Sequence, residues 1–282
     1  MIAPPRGAGP RGSLCTFLLA AAAFDAIAQS PTAAPIVVGV LETPDCGPST
    51  RAVRPLFVRL AAGWVSLSDT GVTVNHPMPD EWEIAFDGRD RGRVHTVPRG
   101  GEATLRPTPP AGLFEGWCSP PELRPLVVVS AANFEDPDQW KPARLSDGEL
   151  GSLLAPLVGE RDSAFNCPRD VEKAEPFRPR VADLEVTQAY RDRRGRTIAG
   201  VRLRRSLYRC DFLFEGAWLT HWFELGASPH RIGTDLDLVD AGDYDRDGAS
   251  ELIFWQGAYN RDGYVLVTGD LRRRVEHAWS YH

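Results

Sequence analysis

The chain has 282 residues, of which 25% are charged and 43% are hydrophobic, and its formal net charge is −6. This length is sufficient for one large domain or two small ones. The acidic balance argues against a nucleic-acid partner, because surfaces that bind nucleic acid are strongly basic.

Residues 1–28 have the pattern of an export signal peptide. Two arginines precede an apolar run from Leu14 to Ala23, and Ala26-Ile-Ala28 places small residues just before Gln29. The apolar run is too short to span a bilayer, which takes about 20 apolar residues. We therefore expect a periplasmic or secreted protein without a membrane span, whose mature chain begins at Gln29.

The cysteines fit an oxidising compartment. Cys15 would leave with the signal, and four cysteines remain. Four cysteines allow three pairings, and the sequence does not choose among them. We favour Cys46–Cys118 and Cys167–Cys210, with free buried thiols as the alternative.

Residues 29–132 form the predicted N-terminal β-rich half. Glu81–Phe86 alternates polar with apolar residues, and an Asp87-Gly88 turn separates it from Arg93–Val97. This pattern predicts a β-hairpin. Leu126–Ser130 is a continuous apolar run, which is typical of a strand buried on both faces.

Residues 133–180 form a predicted Pro-rich connector that contains one short helix. Ser146 and Glu149 have the spacing of a capping box, and Pro156 is expected to shorten or distort the last turn. Five apolar residues fall on one face of this helix: Leu150, Leu153, Leu154, Leu157 and Val158.

Residues 181–282 form the predicted C-terminal β-rich half. A turn is expected at Asn260–Gly263. The predicted strands are Val181–Tyr190, Thr197–Arg204, Tyr208–Phe214, Trp218–Leu225, Glu251–Trp255, Tyr264–Thr268 and Ala278–His282. The expected fold class is therefore mainly β, with antiparallel hairpins in a sandwich or a degenerate propeller-like arrangement and one short helix in a connector.

The most specific motif is the segment from Asp243 to Glu251. Carboxylates occupy its first, third, fifth and ninth positions, and Gly248 allows a sharp turn at the sixth. Ca²⁺ takes six to eight oxygen ligands from compact, flexible loops of this kind, whereas Mg²⁺ demands a tighter octahedron. We therefore predict Ca²⁺ as the cofactor, bound by the side chains of Asp243, Asp245, Asp247 and Glu251 and by the carbonyl of Ala249.

The segment differs from an EF-hand, because Phe254 occupies the twelfth position and the flanking runs have strand length. It resembles the calcium loops of FG-GAP/VCBS-type repeats, which occur in integrin-like propellers and in many exported bacterial proteins. The resemblance implies a calcium site between two strands of an exported β protein. It rests on one copy of the motif, with the matching residues Gly242, Asp243, Asp245, Asp247, Gly248, Glu251 and Leu252.

The alternative interpretation is an acidic turn that binds nothing, since Asp and Gly favour turns for local reasons. Three crowded carboxylates would repel one another without a cation, which favours the calcium loop. Asp235, Asp237 and Asp240 precede the loop and could support it from behind, or they could be solvated strand charges.

No catalytic motif stands out. Asp69-Thr-Gly71 matches half of an aspartic-protease signature but has no second copy, and a Gly-x-Ser-x-Gly elbow is absent. The histidines are scattered without metal-site spacing. We therefore predict a structural or ligand-binding role and no catalytic residues. The alternative is an exported hydrolase with structural calcium and unrecognised catalytic carboxylates.

Aromatic residues of the C-terminal half are a second functional lead. Exposed together, they would bind a carbohydrate or protein ligand by stacking. Buried, they would form the core of the β domain, which we favour. The set is Trp218, Trp222, Trp255, Tyr259 and Tyr264.

Overall fold

The computed structural model describes residues 34–42, 52–68, 79–99, 102–107, 125–158, 180–204, 219–258 and 260–281. These residues form mainly β structure, arranged in three antiparallel sheets. The predicted fold class is therefore confirmed. All of them belong to one compact unit that runs from Ala34 to His282.

The first sheet contains seven of the described strands, in the order β1-β7-β4-β5-β6-β2-β3. Its strand β1 pairs with both β7 and β2, and β2 meets β6 at Ala52 and Thr104. All of these strands except β3 therefore close into a ring. The strands are β1 (Ile36–Glu42), β2 (Ala52–Leu60), β3 (Gly63–Ser66), β4 (Glu81–Phe86), β5 (Arg89–Arg99), β6 (Glu102–Pro107) and β7 (Leu126–Val129).

The predicted hairpin around Asp87-Gly88 is confirmed as β4 and β5. Asp87 and Gly88 have φ angles of 53° and 65°, the left-handed backbone that a tight two-residue hairpin turn requires. The continuous run of β7 is buried at all four positions, as predicted for a strand covered on both faces.

The second sheet has the strand order β12-β11-β10-β9-β8, and the third runs β13-β14-β15-β16 as successive hairpins. The second comprises β8 (Lys141–Pro142), β9 (Leu184–Arg191), β10 (Thr197–Leu203), β11 (His221–Leu225) and β12 (His230–Thr234). The third comprises β13 (Leu236–Gly242), β14 (Glu251–Ala258), β15 (Arg261–Val267) and β16 (Arg274–Ser280).

A short helical segment covers one face of the second sheet. It begins with the predicted capping box between Ser146 and Glu149, and it is divided at Leu153 into α1 (Asp147–Ser152) and α2 (Leu154–Val158). The division lies just before Pro156, which lacks the N–H needed to continue the helix. Leu153 and Leu157 are buried against the second sheet. No helix among the described residues is long and apolar enough to cross a lipid bilayer.

The third sheet is the middle layer of a sandwich. One of its faces, with Ile253 and Leu266, packs against Val38 and Phe57 of the first sheet. The opposite face packs against the second sheet, where Phe254 contacts the Trp222 ring at a centroid distance of 5.0 Å. This two-sided burial explains why the middle of β14, Leu252–Trp255, is a continuous apolar run. Of the two predicted arrangements, the layers fit the sandwich.

Several predictions on individual elements have different outcomes. The predicted turn at Asn260–Gly263 is wrong for its last three residues, because Arg261–Gly263 lie within β15 and pair with Gln256–Ala258 of β14. Strand β12 was not predicted. The domain boundaries at residues 132 and 180 stay predictions. The signal segment, all five cysteines, Asp69-Thr-Gly71, Trp218 and Tyr259 lie outside the described residues.

Replacing Gly88 with alanine is expected to destabilise the protein strongly. A Cβ at Gly88 would lie 2.5 Å from the Cβ of Asp136, in a backbone with φ of +65°. Gly195 is a matched control, since its φ is +86° but a Cβ there would meet nothing within 4 Å. Gly195→Ala should lower the free energy of unfolding by about 1–2 kcal/mol, and Gly88→Ala by about 1–3 kcal/mol more because of overpacking. Denaturant unfolding measures both, and equal losses would contradict the proposed contact.

Candidate metal centre

The loop between β13 and β14 brings three of the predicted ligands together. Asp243, Asp245 and Asp247 each offer a carboxylate oxygen, and these oxygens lie within 4.8 Å of one another. Oxygens bound to one Ca²⁺ at about 2.3–2.6 Å can lie at most about 5 Å apart. The spacing of the three side chains is therefore suitable for a shared cation.

Hydrogen bonds inside the loop shape its turn. The N–H groups of Asp247 and Gly248 donate to the two carboxylate oxygens of Asp243, at 2.9 and 3.0 Å. The N–H of Ala249 donates to Asp247 Oδ1 at 2.9 Å. Gly248 has a φ of 89°, a conformation that favours glycine. These bonds alone are what an acidic turn without a cation would also form.

Asp245 requires a further partner. Its side chain is only 6% exposed, and its Oδ2 accepts a hydrogen bond from Arg59 Nε at 2.7 Å. Its other oxygen, Oδ1, is buried without a hydrogen-bond partner among the described residues. An unsatisfied buried carboxylate oxygen is energetically costly. A cation in the loop would satisfy it.

Glu251 adds a fourth carboxylate to the loop from the first position of β14. It is 1% exposed, and its Oε2 accepts the N–H of Tyr244 at 2.9 Å. Burial, followed by repulsion from Asp245 and Asp247, raises the pKa of Glu251 from 4.5 to about 9. Without a cation, Glu251 therefore holds a proton at neutral pH. A bound divalent ion would replace that proton.

The loop is anchored in the core by Tyr244. This side chain is fully buried and stacks on Phe134 at a ring-centroid distance of 6.5 Å. Its hydroxyl donates to Asp240 Oδ2 at 3.0 Å, and Asp240 Oδ1 accepts the N–H of Gly88 at 3.1 Å. Burial, followed by the nearby Asp240 charge, raises the pKa of Tyr244. Asp240 therefore supports the loop from behind, one of the two roles considered for it.

The other two acidic residues before the loop do not join it. Asp235 precedes the first residue of β13, and Asp237 lies near that end of the strand, whereas the loop follows the last residue. Burial, together with neighbouring Asp237 and Asp262, raises the pKa of Asp235 to about 6. Burial also raises the pKa of Asp237.

An acidic pair in the segment after β7 was missed by sequence analysis. Asp136 Oδ1 accepts the hydroxyl of Ser250 at 2.5 Å, and Asp138 Oδ2 accepts the N–H of Ser250 at 3.1 Å. Asp138 is fully buried and pairs with Arg196 at 2.9 Å. Arg194 Nη2 lies 3.7 Å from its other oxygen. These contacts fix the residue just before Glu251.

Two further contacts join the loop to the same segment. The N–H of Asp243 donates to the carbonyl of Phe134 at 2.9 Å. The guanidinium of Arg246 donates to the carbonyl of Ala132 at 2.9 and 2.6 Å. The loop is therefore bonded on several sides to chain segments that are far away in sequence. Ala249 forms its hydrogen bond in the loop through its N–H group. That its carbonyl binds the ion stays a prediction.

The described aromatic residues of the second lead belong mainly to the core. Trp222 and Tyr264 are buried, which confirms the interpretation favoured for them. Trp255 is half-buried and packs edge-on against Tyr264 and Trp279, with ring-centroid distances of 5.0 and 5.8 Å.

One serine–histidine contact was considered for the hydrolase alternative. Ser66 Oγ lies 3.2 Å from His277 Nδ1, but Nδ1 also lies 3.1 Å from the carbonyl of Leu56. A carbonyl only accepts, so Nδ1 carries the proton and cannot take one from Ser66. Ser66 is also buried. This pair therefore does not form an activated nucleophile.

Comparison of the chain with family models, with characterised proteins and with solved structures gives no match. The resemblance to FG-GAP/VCBS-type calcium loops therefore rests on the loop residues themselves. The convergence of Asp243, Asp245 and Asp247 and the buried, unpartnered oxygen of Asp245 are the features of this loop that favour a cation.

The stability of the calcium-free protein is expected to fall as pH rises. Because the pKa of Glu251 is about 9 in the folded chain and 4.5 ordinarily, the folded state binds the extra proton between these values. The free energy of unfolding should therefore decrease over this window by up to about 1.4 kcal/mol per pH unit. Denaturant unfolding in the presence of a chelator, at about pH 5 and about pH 8, measures the slope. Glu251→Gln should reduce the dependence of the unfolding free energy on pH. An unchanged slope in this variant would show that other groups cause the pH dependence.

Proposed function

We propose that this chain is an exported calcium-binding β protein, with Ca²⁺ stabilising the fold and a structural or ligand-binding role. The observation that carries the proposal is the buried, unpartnered Oδ1 of Asp245 in a loop where the carboxylates of Asp243 and Asp247 converge. The role of calcium as cofactor follows from this donor set, since hard cations bind carboxylate oxygens.

Calcium is favoured over magnesium by the nature of the loop. Asp243, Asp245, Asp247 and Glu251 offer up to eight carboxylate oxygens, some already engaged in hydrogen bonds. Ca²⁺ accepts irregular shells of six to eight oxygens, whereas Mg²⁺ retains water and demands an octahedron. Extracellular calcium modules work with dissociation constants of about 10⁻⁴–10⁻³ M, which suits an exported protein.

The ion would stabilise the fold in two ways. It would neutralise the repulsion that raises the pKa of Glu251. It would also fix a loop that is hydrogen-bonded to Phe134 through Asp243 and to Asp136 and Asp138 through Ser250. A ligand that binds the folded chain alone adds about 2.7 kcal/mol when its concentration is one hundred times its dissociation constant.

Export is the part of the proposal that rests on the first 28 residues. Expression of the full chain in a bacterium with a periplasm should yield a periplasmic protein whose N-terminal residue is Gln29 after signal cleavage. The intact mass of the purified protein measures the cleavage site. Recovery of the full-length chain from the cytosol alone would contradict export.

Calcium is expected to raise the melting temperature of the chelator-treated protein. At about one hundred times the dissociation constant, the gain of about 2.7 kcal/mol corresponds to roughly 5–10 °C. Asp245→Asn should abolish the rise, because it removes the charge that the ion meets. Asp147→Asn is the matched control, since Asp147 is exposed in α1, and it should retain the full rise.

Differential scanning calorimetry with and without Ca²⁺ measures this effect, and Mg²⁺ at the same concentration tests the selectivity. An unchanged melting temperature of the wild-type protein in excess Ca²⁺ would refute the calcium proposal. An equal response to Mg²⁺ would refute the assignment of the ion.

A further inference from the structure

Arg59 of the first sheet forms a salt bridge with Asp245, one of the loop carboxylates. It lies in β2, where its Nη1 donates to the carbonyl of Leu60 at 2.5 Å and its Nε donates to Asp245 Oδ2 at 2.7 Å. Within the described part of the chain, it is the one cation that forms a salt bridge with a loop carboxylate. The guanidinium is therefore held by its own strand and by the loop.

This contact divides the two oxygens of Asp245 between different partners. Oδ2 is taken by Arg59, and Oδ1 is the buried oxygen left for a cation. A planar guanidinium that donates through Nε fixes the orientation of the carboxylate, because the hydrogen bond constrains its direction as well as its distance. Such outer partners orient metal ligands in many proteins.

We propose that Arg59 is a positioning residue for the calcium ion and couples occupancy of the loop to the first sheet. The inference rests on the proposed calcium site. Arg59 orients Asp245 so that Oδ1 faces the ion, and the ion in turn immobilises the carboxylate that holds β2. Ion binding in the third sheet therefore tightens its contact with the first sheet.

The remaining loop contacts support the direction of this coupling. After β7, the carbonyls of Ala132 and Phe134 accept hydrogen bonds directly from the loop. Between β4 and β5, the N–H of Gly88 is joined to the loop through Asp240. These segments all adjoin strands of the first sheet. Arg59 differs from them because it touches a carboxylate that is a predicted ligand.

Two effects of removing Arg59 have opposite signs, which makes the inference testable. Loss of a positive charge near four carboxylates would strengthen calcium binding by simple electrostatics. Loss of the orienting hydrogen bond would weaken it, typically by about 10–100-fold for an outer partner of a metal ligand. The inference requires that orientation outweighs charge.

Calcium titration calorimetry on chelator-treated variants decides between these effects. Arg59→Met should weaken binding by about 10–100-fold. Arg59→Lys should recover part of the loss, because it keeps a donor for Asp245 but lacks the planar guanidinium that orients the carboxylate. Arg93→Met is the matched control, since Arg93 forms a comparable pair with Glu83 in the first sheet at 2.8 Å. It should bind calcium as the wild type does.

Hydrogen exchange on the wild-type protein tests the coupling without any variant, in case Arg59→Met does not fold. Calcium should slow exchange in the loop and in β2 more than in β9 and β10 of the second sheet. A slowing confined to the loop, or equal in all three places, overturns the inference. An Arg59→Met variant that binds calcium as tightly as the wild type also overturns the inference about Arg59. That result would not contradict the calcium site itself. A wild type that binds no calcium overturns both proposals.

Discussion

Burial of negative charge at the loop end of the third sheet is the constraint on which this structure depends. Asp138, Asp240 and Glu251 are buried, and Asp245 is nearly so. A buried carboxylate is tolerated only when donors or cations meet it. Asp240 is met by Tyr244 and Gly88, and Asp138 by Ser250 and two arginines. Among the described residues, Oδ1 of Asp138 and Oδ1 of Asp245 are buried without a hydrogen-bond partner. Asp138 Oδ1 still has the Arg194 guanidinium 3.7 Å away, whereas for Asp245 Oδ1 we propose a divalent cation.

The parts of this arrangement that sequence could predict are those fixed by neighbours in the chain. The Asp87-Gly88 hairpin, the Ser146 capping box and the loop from Asp243 to Glu251 each depend on residues a few positions apart, so spacing alone identifies them. Arg59 and Asp245 are separated by 186 positions, and Asp138 and Ser250 by 112. Such pairs are decided by which faces of the sheets pack together, and no local pattern records that choice.

The position of the third sheet explains why the candidate site is both local and connected. Its strands follow one another as hairpins, so the loop forms from a single continuous segment. The same strands are covered on both faces, by residues such as Phe57 on one side and Trp222 on the other. A site at the end of a middle layer necessarily borders both outer layers. Here the borders are Arg59 on one side and the turn containing Arg196 on the other.

The order in which these layers are made has a consequence for folding. The face of the first sheet that carries Val38 and Phe57 is covered by residues of the third sheet, such as Ile253 and Leu266. Those residues lie about two hundred positions later, and contacts of such high sequence separation form slowly because a long loop must close first. A chain synthesised from its N-terminus therefore has its first sheet complete in sequence while that apolar face still lacks its cover. The fold is finished only when the last strands emerge, so aggregation competes with folding during this interval.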